Sequence, residues 1–154
     1  MRRDSRLSGV LHVLLHMAEF EKPVTSERLA VVMHTNPVVV RRVMAGLRDL
    51  GLVASGKGHG GGWTLSCDLD RVTLHDVYLA LGAPEIFAMG HRSEAPECLV
   101  EQVVNAALAT AFEDAERLLL SRLGDVTLGQ ISIDFHARLA KRRPNLKEDC
   151  PDGA

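Results

Sequence analysis

The sequence predicts a mainly α-helical protein, in which a winged helix-turn-helix domain with a two-stranded wing precedes a long C-terminal helix. Three observations support this prediction. Two short helical patterns are separated by a sharp break, a glycine-rich hairpin follows them directly, and the second half contains one long helical pattern. The order helix, turn, helix, hairpin is typical of a winged helix.

The opening segment has apolar residues at helical spacing and predicts a scaffold helix packed beneath the helix-turn-helix. Its predicted buried stripe consists of Leu7, Val10, Leu11, Leu14, Leu15 and Ala18.

The helix-turn-helix is predicted from Thr25 to Gly51. Its first helix follows Thr25 and breaks at 34–35. Asn36 and Pro37 restart the chain as an N-cap residue and a proline at the first helical position, and Gly51 is a typical C-terminal glycine. The second helix carries a predicted inward stripe of Val40, Val43, Met44, Leu47 and Leu50.

The wing is predicted from two short extended runs, 52–55 and 63–66, joined by the glycine-rich segment 56–62. Trp63 is expected to anchor this hairpin on the core rather than to stack on a base. The spacing of Gly56, Gly58 and Gly61 matches a dinucleotide fingerprint, but that motif requires a strand before it and a helix after it. We interpret the match as incidental.

The charge is distributed unevenly along the chain. Residues 1–63 contain nine Lys or Arg and five Asp or Glu, whereas residues 64–154 contain nine and fifteen. The net charges are therefore +4 and −6, and the basic half contains the helix-turn-helix and the wing. Arginines 41, 42 and 48 lie outside the inward stripe of the second helix. These features predict binding to double-stranded DNA, with this second helix as the recognition helix.

The longest helical pattern runs from Glu97 to Leu123 and would be about 40 Å long. A helix of that length exceeds what so small a domain covers, so it predicts a homodimer that reads a palindromic operator. A last short helix is expected to begin within 127–135. We expect a DNA-binding domain over 1–82, a linker or sensor loop over 83–96, dimerisation helices over 97–141 and a disordered tail over 142–154.

Composition excludes several classes of protein. No apolar run approaches 18 residues and no signal peptide is recognised, so we expect a cytoplasmic protein with no membrane partner. Cys67, Cys98 and Cys150 are odd in number and widely spaced, which is not a disulfide framework. His12 and His16 lie four residues apart and are interpreted as polar-face residues, so no metal site is expected.

Several runs together closely resemble the Rrf2 family of bacterial transcription regulators. That family includes the iron–sulfur cluster regulator, the nitric-oxide-sensing repressor and the cysteine-metabolism repressor. The runs are Pro23–Ala30, Thr35–Arg42, Gly51–Val53, Gly60–Leu65 and Val72–Tyr78. The resemblance implies a homodimeric repressor and not an enzyme.

The resemblance also implies roles for particular residues. It implies that the start of the recognition helix faces the major groove, with Asn36, Pro37, Val38, Val39, Arg41 and Arg42. It places Thr25 and Ser26 on phosphate, and Lys57 and His59 on the minor groove or its backbone. Gly60 and Gly61 would let the main chain approach the DNA.

One departure from the family concerns its cofactor. Cluster-binding members carry three closely spaced cysteines, whereas here only Cys98 lies in that region, and His75, His91 or Asp4 would have to substitute. We therefore expect no iron–sulfur cluster and no other cofactor. Cys98 is a candidate redox sensor, with a small-molecule or protein effector as the alternative. A thiol enzyme using Cys98 and His91, or a winged helix that binds only protein, are remote alternatives.

Overall fold

The computed structural model describes residues 5–87 and 98–141. The described helices and strands follow the predicted order and confirm the winged helix-turn-helix with its long C-terminal helix. They are α1 (Arg6–Ala18), α2 (Ser26–Val32), α3 (Pro37–Asp49), β1 (Val53–Ser55), β2 (Trp63–Leu65), α4 (Leu74–Ala80), α5 (Leu99–Gly124) and α6 (Leu128–Lys141). The predicted tail and most of the predicted linker lie outside the described residues.

The core forms where α1, α2, α3 and the hairpin meet. Its fully buried side chains include Leu14, Leu29, Met44, Leu47 and Leu128. The predicted stripes need three corrections. Val13 and Met17 are buried in α1 but were not predicted, Ala18 is exposed, and Leu50 is 56% exposed because it caps the end of α3.

The helix-turn-helix is built by local capping. The Oγ1 of Thr25 accepts a hydrogen bond from the Arg28 N–H at 3.3 Å and so begins α2. The Oδ1 of Asn36 accepts from the N–H groups of Val38 and Val39, both at 3.0 Å, which confirms the predicted N-cap of α3. Gly51, with a φ of 74°, ends this unit in the left-handed conformation that glycine adopts without strain.

The wing is a two-stranded antiparallel sheet in which Ala54 pairs with Thr64. Trp63 also pairs with Val24, the residue that precedes the helix-turn-helix. Its indole Nε1–H donates to the Oγ of Ser26 at 3.0 Å, and only 8% of Trp63 is exposed. The prediction that Trp63 anchors the hairpin is confirmed, and no helix follows the glycine-rich turn within the hairpin.

The C-terminal helices join the winged helix at a compact corner. The N–H of Leu74 donates to the Val126 carbonyl at 3.0 Å, and that of Leu128 donates to the Val72 carbonyl at 2.9 Å. Leu128 is fully buried, and a Cβ at Gly129 would overlap the carboxylate of Asp70. The last helix, which was expected to begin within 127–135, runs from Leu128 to Lys141.

Helix α5 contrasts with this corner because it has no buried residue along its 26 residues. Seven large apolar side chains on it are exposed, and we call them the α5 stripe: Leu99, Val100, Val103, Val104, Leu108, Leu118 and Leu119. No helix in the described ranges is both long enough and apolar enough to cross a bilayer.

Candidate nucleic-acid interface

The first turns of α3 present a mixed apolar and cationic surface. Val38 is 63% exposed and Val39 is 37% exposed, although both are apolar. Arg41 and Arg42 follow them on the same helix and are exposed as well. Exposed valines suit contact with thymine methyl groups, and arginines suit guanine edges or phosphates. The first turns of α3 therefore carry side chains of the types that read base edges in a major groove.

Asn36 and Pro37 have a different position in this surface. The Asn36 oxygen is occupied by two N–H groups of its own helix, so only the amide NH₂ group of that side chain remains as a donor toward DNA. Pro37 occupies the first helical position and is half-buried. Both residues therefore help to begin α3, in addition to lying on its surface.

Arg41 has a partner that the sequence did not suggest. Its Nη2 donates to Oε1 of Glu27 at 2.7 Å, which joins the second turn of α3 to the first turn of α2. The pKa of Glu27 is lowered, first by a hydrogen bond from its own backbone N–H and further by the charge of Arg41. A carboxylate in the first turn of a helix is common, so the sequence alone gave no reason to connect it with Arg41.

The two residues at the start of α2 that were expected to contact phosphate differ in their exposure. Thr25 is exposed, and its hydroxyl oxygen accepts from the Arg28 N–H while its side chain also hydrogen-bonds the Glu27 carboxylate. Ser26 is only 8% exposed, and its hydroxyl accepts from Trp63. The Ser26 side chain therefore belongs to the core, and a phosphate contact there would use its backbone N–H.

The wing tip contributes further cationic and main-chain groups. Lys57, His59 and Gly60 are exposed. The φ of 82° at Gly60 lies in the left-handed region that favours glycine. Gly61 is half-buried, and its N–H donates to the Gly58 carbonyl at 3.0 Å, so this N–H closes the turn.

The two cysteines in the described ranges differ in environment. Cys98 is exposed at the N-cap of α5, and the backbone N–H groups of Glu101 and then Val100 lower its pKa. Cys67 is half-buried, and burial raises its pKa. A thiolate forms more readily at Cys98.

The described residues do not form a metal centre. No group of three or more His, Cys, Asp or Glu side chains within 5–87 and 98–141 converges on a point where an ion could sit. The Nε2 atoms of His12 and His16 lie 2.8 Å apart without a third ligand of these types. The donor set of these ranges does not fit an iron–sulfur cluster, which requires several thiolates. Asp4, His91 and Cys150 lie outside the described residues.

Comparison with known proteins places this arrangement among transcription regulators. Residues 3–134 match the family model described as "Rrf2: Iron-dependent Transcriptional regulator". The chain is 31% identical over 128 residues to the HTH-type protein YwnA of Bacillus subtilis, covering 83% of this chain and 95% of YwnA.

Solved structures show the same fold. A Lactobacillus plantarum regulator superposes with a TM-score of 0.73 at 24% identity, covering 87% of this chain and 91% of that one. The oxidised form of Staphylococcus aureus CymR superposes with a TM-score of 0.62 at 17% identity, covering 86% and 96%.

Proposed function

Because the chain belongs to the Rrf2 family of transcriptional regulators, we propose that it is a repressor that binds a palindromic operator as a homodimer. The observation that carries this proposal is the surface of α3, where exposed valines and two arginines lie together at the start of the recognition helix. This combination supplies both apolar contacts for thymine methyl groups and cationic donors for guanine edges or phosphates.

Each part of the interface has a distinct role in this proposal. Val38 and Val39 contact base edges in the major groove, and Arg41 and Arg42 bind guanine or phosphate. Thr25 and the backbone N–H of Ser26 bind phosphate at the start of α2, while Asn36 and Pro37 set the angle of α3. Lys57 and His59 reach the flanking minor groove from the wing, and Gly60 and Gly61 allow the backbone to approach.

The homodimer is supported by the α5 stripe. Seven exposed large apolar side chains on one helix are unfavourable in water, and contact with a second copy removes them from it. A two-fold pair of recognition helices then matches the two halves of a palindrome.

The signal is proposed to act through Cys98. Its exposure and its lowered pKa suit a thiol that oxidants reach, and no cofactor is invoked. Staphylococcus aureus CymR was crystallised in an oxidised form, which supports a redox response within this fold. A small molecule or a partner protein is the alternative effector.

Fluorescence anisotropy with DNA from upstream of its own gene tests the repressor proposal. Wild-type protein is titrated at several salt concentrations beside the double variant Arg41→Ala/Arg42→Ala. The variant is expected to lose operator affinity. Its affinity should also fall less steeply with salt concentration, by an amount that corresponds to the loss of at most about two phosphate contacts. Unchanged affinity and slope in the variant would contradict the role of α3 as the reading helix.

Repression and DNA binding are separated by a second measurement. Transcription in vitro from the bound promoter is expected to fall as the protein is added, because a bound dimer blocks access to the promoter. Increased transcription would show an activator and would leave the DNA-binding part of the proposal intact.

A further inference from the structure

An acidic residue lies inside the surface that DNA would cover. Glu27 in the first turn of α2 is 62% exposed at its side chain, and Arg41 is 55% exposed. Their 2.7 Å contact places a carboxylate beside the guanidinium at the reading end of α3. A negative charge at this position opposes phosphate, so its presence requires an explanation.

The ion pair is not needed to hold the two helices together. Exposed ion pairs contribute little to folding stability because water screens them. The packing of α2 on α3 rests instead on fully buried side chains such as Leu29, Val40 and Met44. The pair is therefore available for a role in binding.

The geometry of the guanidinium suggests that role. Arginine has five N–H donors, and the hydrogen bond to Glu27 is made from Nη2. The remaining donors can still meet the O6 and N7 acceptors of guanine, whereas an unheld guanidinium can also turn to a phosphate. Holding the side chain in one place lowers the ordering cost of the base contact.

We propose that Glu27 is a positioning residue for sequence discrimination, which holds Arg41 toward a base edge and disfavours an Arg41–phosphate contact on unrelated DNA. This inference rests on the proposed function. It predicts that loss of the Glu27 charge strengthens binding to unrelated DNA more than binding to the operator.

The chain contains two matched controls. Arg42 is the next residue, is exposed, and makes no ion pair with the residues that the structure describes. Asp49 is an exposed acid at the other end of α3 and pairs with Arg48 at 3.4 Å. Asp49→Asn removes the same charge as Glu27→Gln from the same helix-turn-helix, but at a distance from the reading end.

The experiment compares two duplex probes by anisotropy. The first is the duplex that wild-type protein selects from fragmented genomic DNA of its source, and the second is the same duplex with its sequence shuffled. For Glu27→Gln we expect binding to the shuffled duplex to tighten about three- to tenfold and binding to the selected duplex to change less than about twofold. For Asp49→Asn both affinities should change by the same factor, leaving their ratio unaltered.

A double-mutant cycle tests whether Glu27 acts through Arg41. In an Arg41→Ala background, Glu27→Gln should no longer lower the ratio of selected to shuffled binding. In an Arg42→Ala background, it should lower the ratio as it does in wild type. All variants change exposed side chains, and thermal unfolding verifies that each remains folded.

The outcomes separate this inference from the function on which it rests. If wild type discriminates between the duplexes but Glu27→Gln and Asp49→Asn alter the ratio equally, the role of Glu27 is overturned and the repressor proposal stands. A ratio that falls equally with and without Arg41 also overturns it. If wild type selects no duplex and shows no salt-dependent DNA binding, both proposals fail.

Discussion

The winged-helix domain buries its large apolar side chains, whereas the long helix α5 leaves them exposed. Leu14, Leu29 and Leu47 are completely buried within one copy of the chain, whereas none of the 26 residues of α5 is buried. The winged-helix domain therefore has a core of its own, whereas α5 leaves its large apolar side chains exposed in a single copy of the chain. Composition alone does not distinguish the two regions, because both are rich in Leu, Val and Ala.

The largest effect should come from the core. Leu47→Ala is expected to lower the free energy of unfolding by about 2–5 kcal/mol, because it leaves a cavity in a closely packed site. Chemical denaturation of the purified protein measures this. Leu50→Ala is the control on the same helix, since Leu50 is 56% exposed, and equal losses in both variants would contradict the buried core described here.

The second effect tests the α5 stripe. Val103→Glu is expected to shift the protein to monomer and to weaken operator binding about 10²-fold, because the two recognition helices are no longer linked. Analytical ultracentrifugation and anisotropy measure the two results. Gln102→Glu adds the same charge at an exposed position of α5 on the side away from the stripe, and a dimer that survives Val103→Glu but not Gln102→Glu would place the interface elsewhere.

The third effect compares one cysteine from each region. Mild oxidation of wild type is expected to change operator affinity about tenfold, in the range of ordinary allosteric coupling. Cys98→Ser should abolish that response because its exposed thiol is lost. Cys67→Ser should retain it, since burial raises the pKa of Cys67. A Cys98→Ser variant that responds like wild type would move the search to another effector.

The fourth effect concerns the cap of α4, which adjoins both regions. The Thr73 hydroxyl accepts from the Asp76 N–H at 3.2 Å, and the Asp76 carboxylate accepts from the Thr73 N–H at 2.8 Å. Thr73→Ala should cost about 1 kcal/mol of stability, whereas Thr73→Ser keeps the hydroxyl. Equal unfolding midpoints for the two variants would contradict the contribution of this capping box.

The smallest effect depends on pH and links α6 to α1. The carbonyl of Ser132, and then Glu19 at 3.2 Å, raise the pKa of His136. The protonated form is favoured in the folded state, so the stabilisation is full below the unfolded pKa of about 6.5 and is lost as pH rises through the higher folded value.

The measurement is the Tm of wild type minus that of His136→Ala across pH 5.5–9. We expect this difference to be small and positive at low pH and to shrink toward zero as pH rises. Subtraction is needed because burial lowers the pKa of His12, which gives wild type an opposite pH dependence. A difference that grows with pH would contradict the His136–Glu19 pair.

The sequence predicted what local chemistry determines. The N-cap Asn36 with Pro37 and the C-terminal Gly51 each act within a few residues, and both appear at their predicted places. The order of the elements followed from the same signals.

Contacts between distant residues could not be predicted. Ser26 and Trp63 are 37 positions apart, and Glu27 and Arg41 are 14 apart. Their pairing depends on how α2 crosses α3 and on where the hairpin folds back. One contact withdraws a predicted phosphate ligand into the core, and the other adds an acid to the surface proposed to bind DNA.

The corner at Leu128 and Gly129 has a mechanical consequence. Leu128 is completely buried in the winged-helix core, and its backbone N–H donates to the Val72 carbonyl at 2.9 Å. This corner therefore anchors α6 to the winged-helix domain, and in the proposed homodimer the same anchor would set the spacing of the two recognition helices. The distance between the two recognition helices would then be set by the protein and would not adjust to the operator. Inserting a single base pair between operator half-sites, which turns one relative to the other by about a tenth of a helical turn, should abolish simultaneous engagement rather than be absorbed.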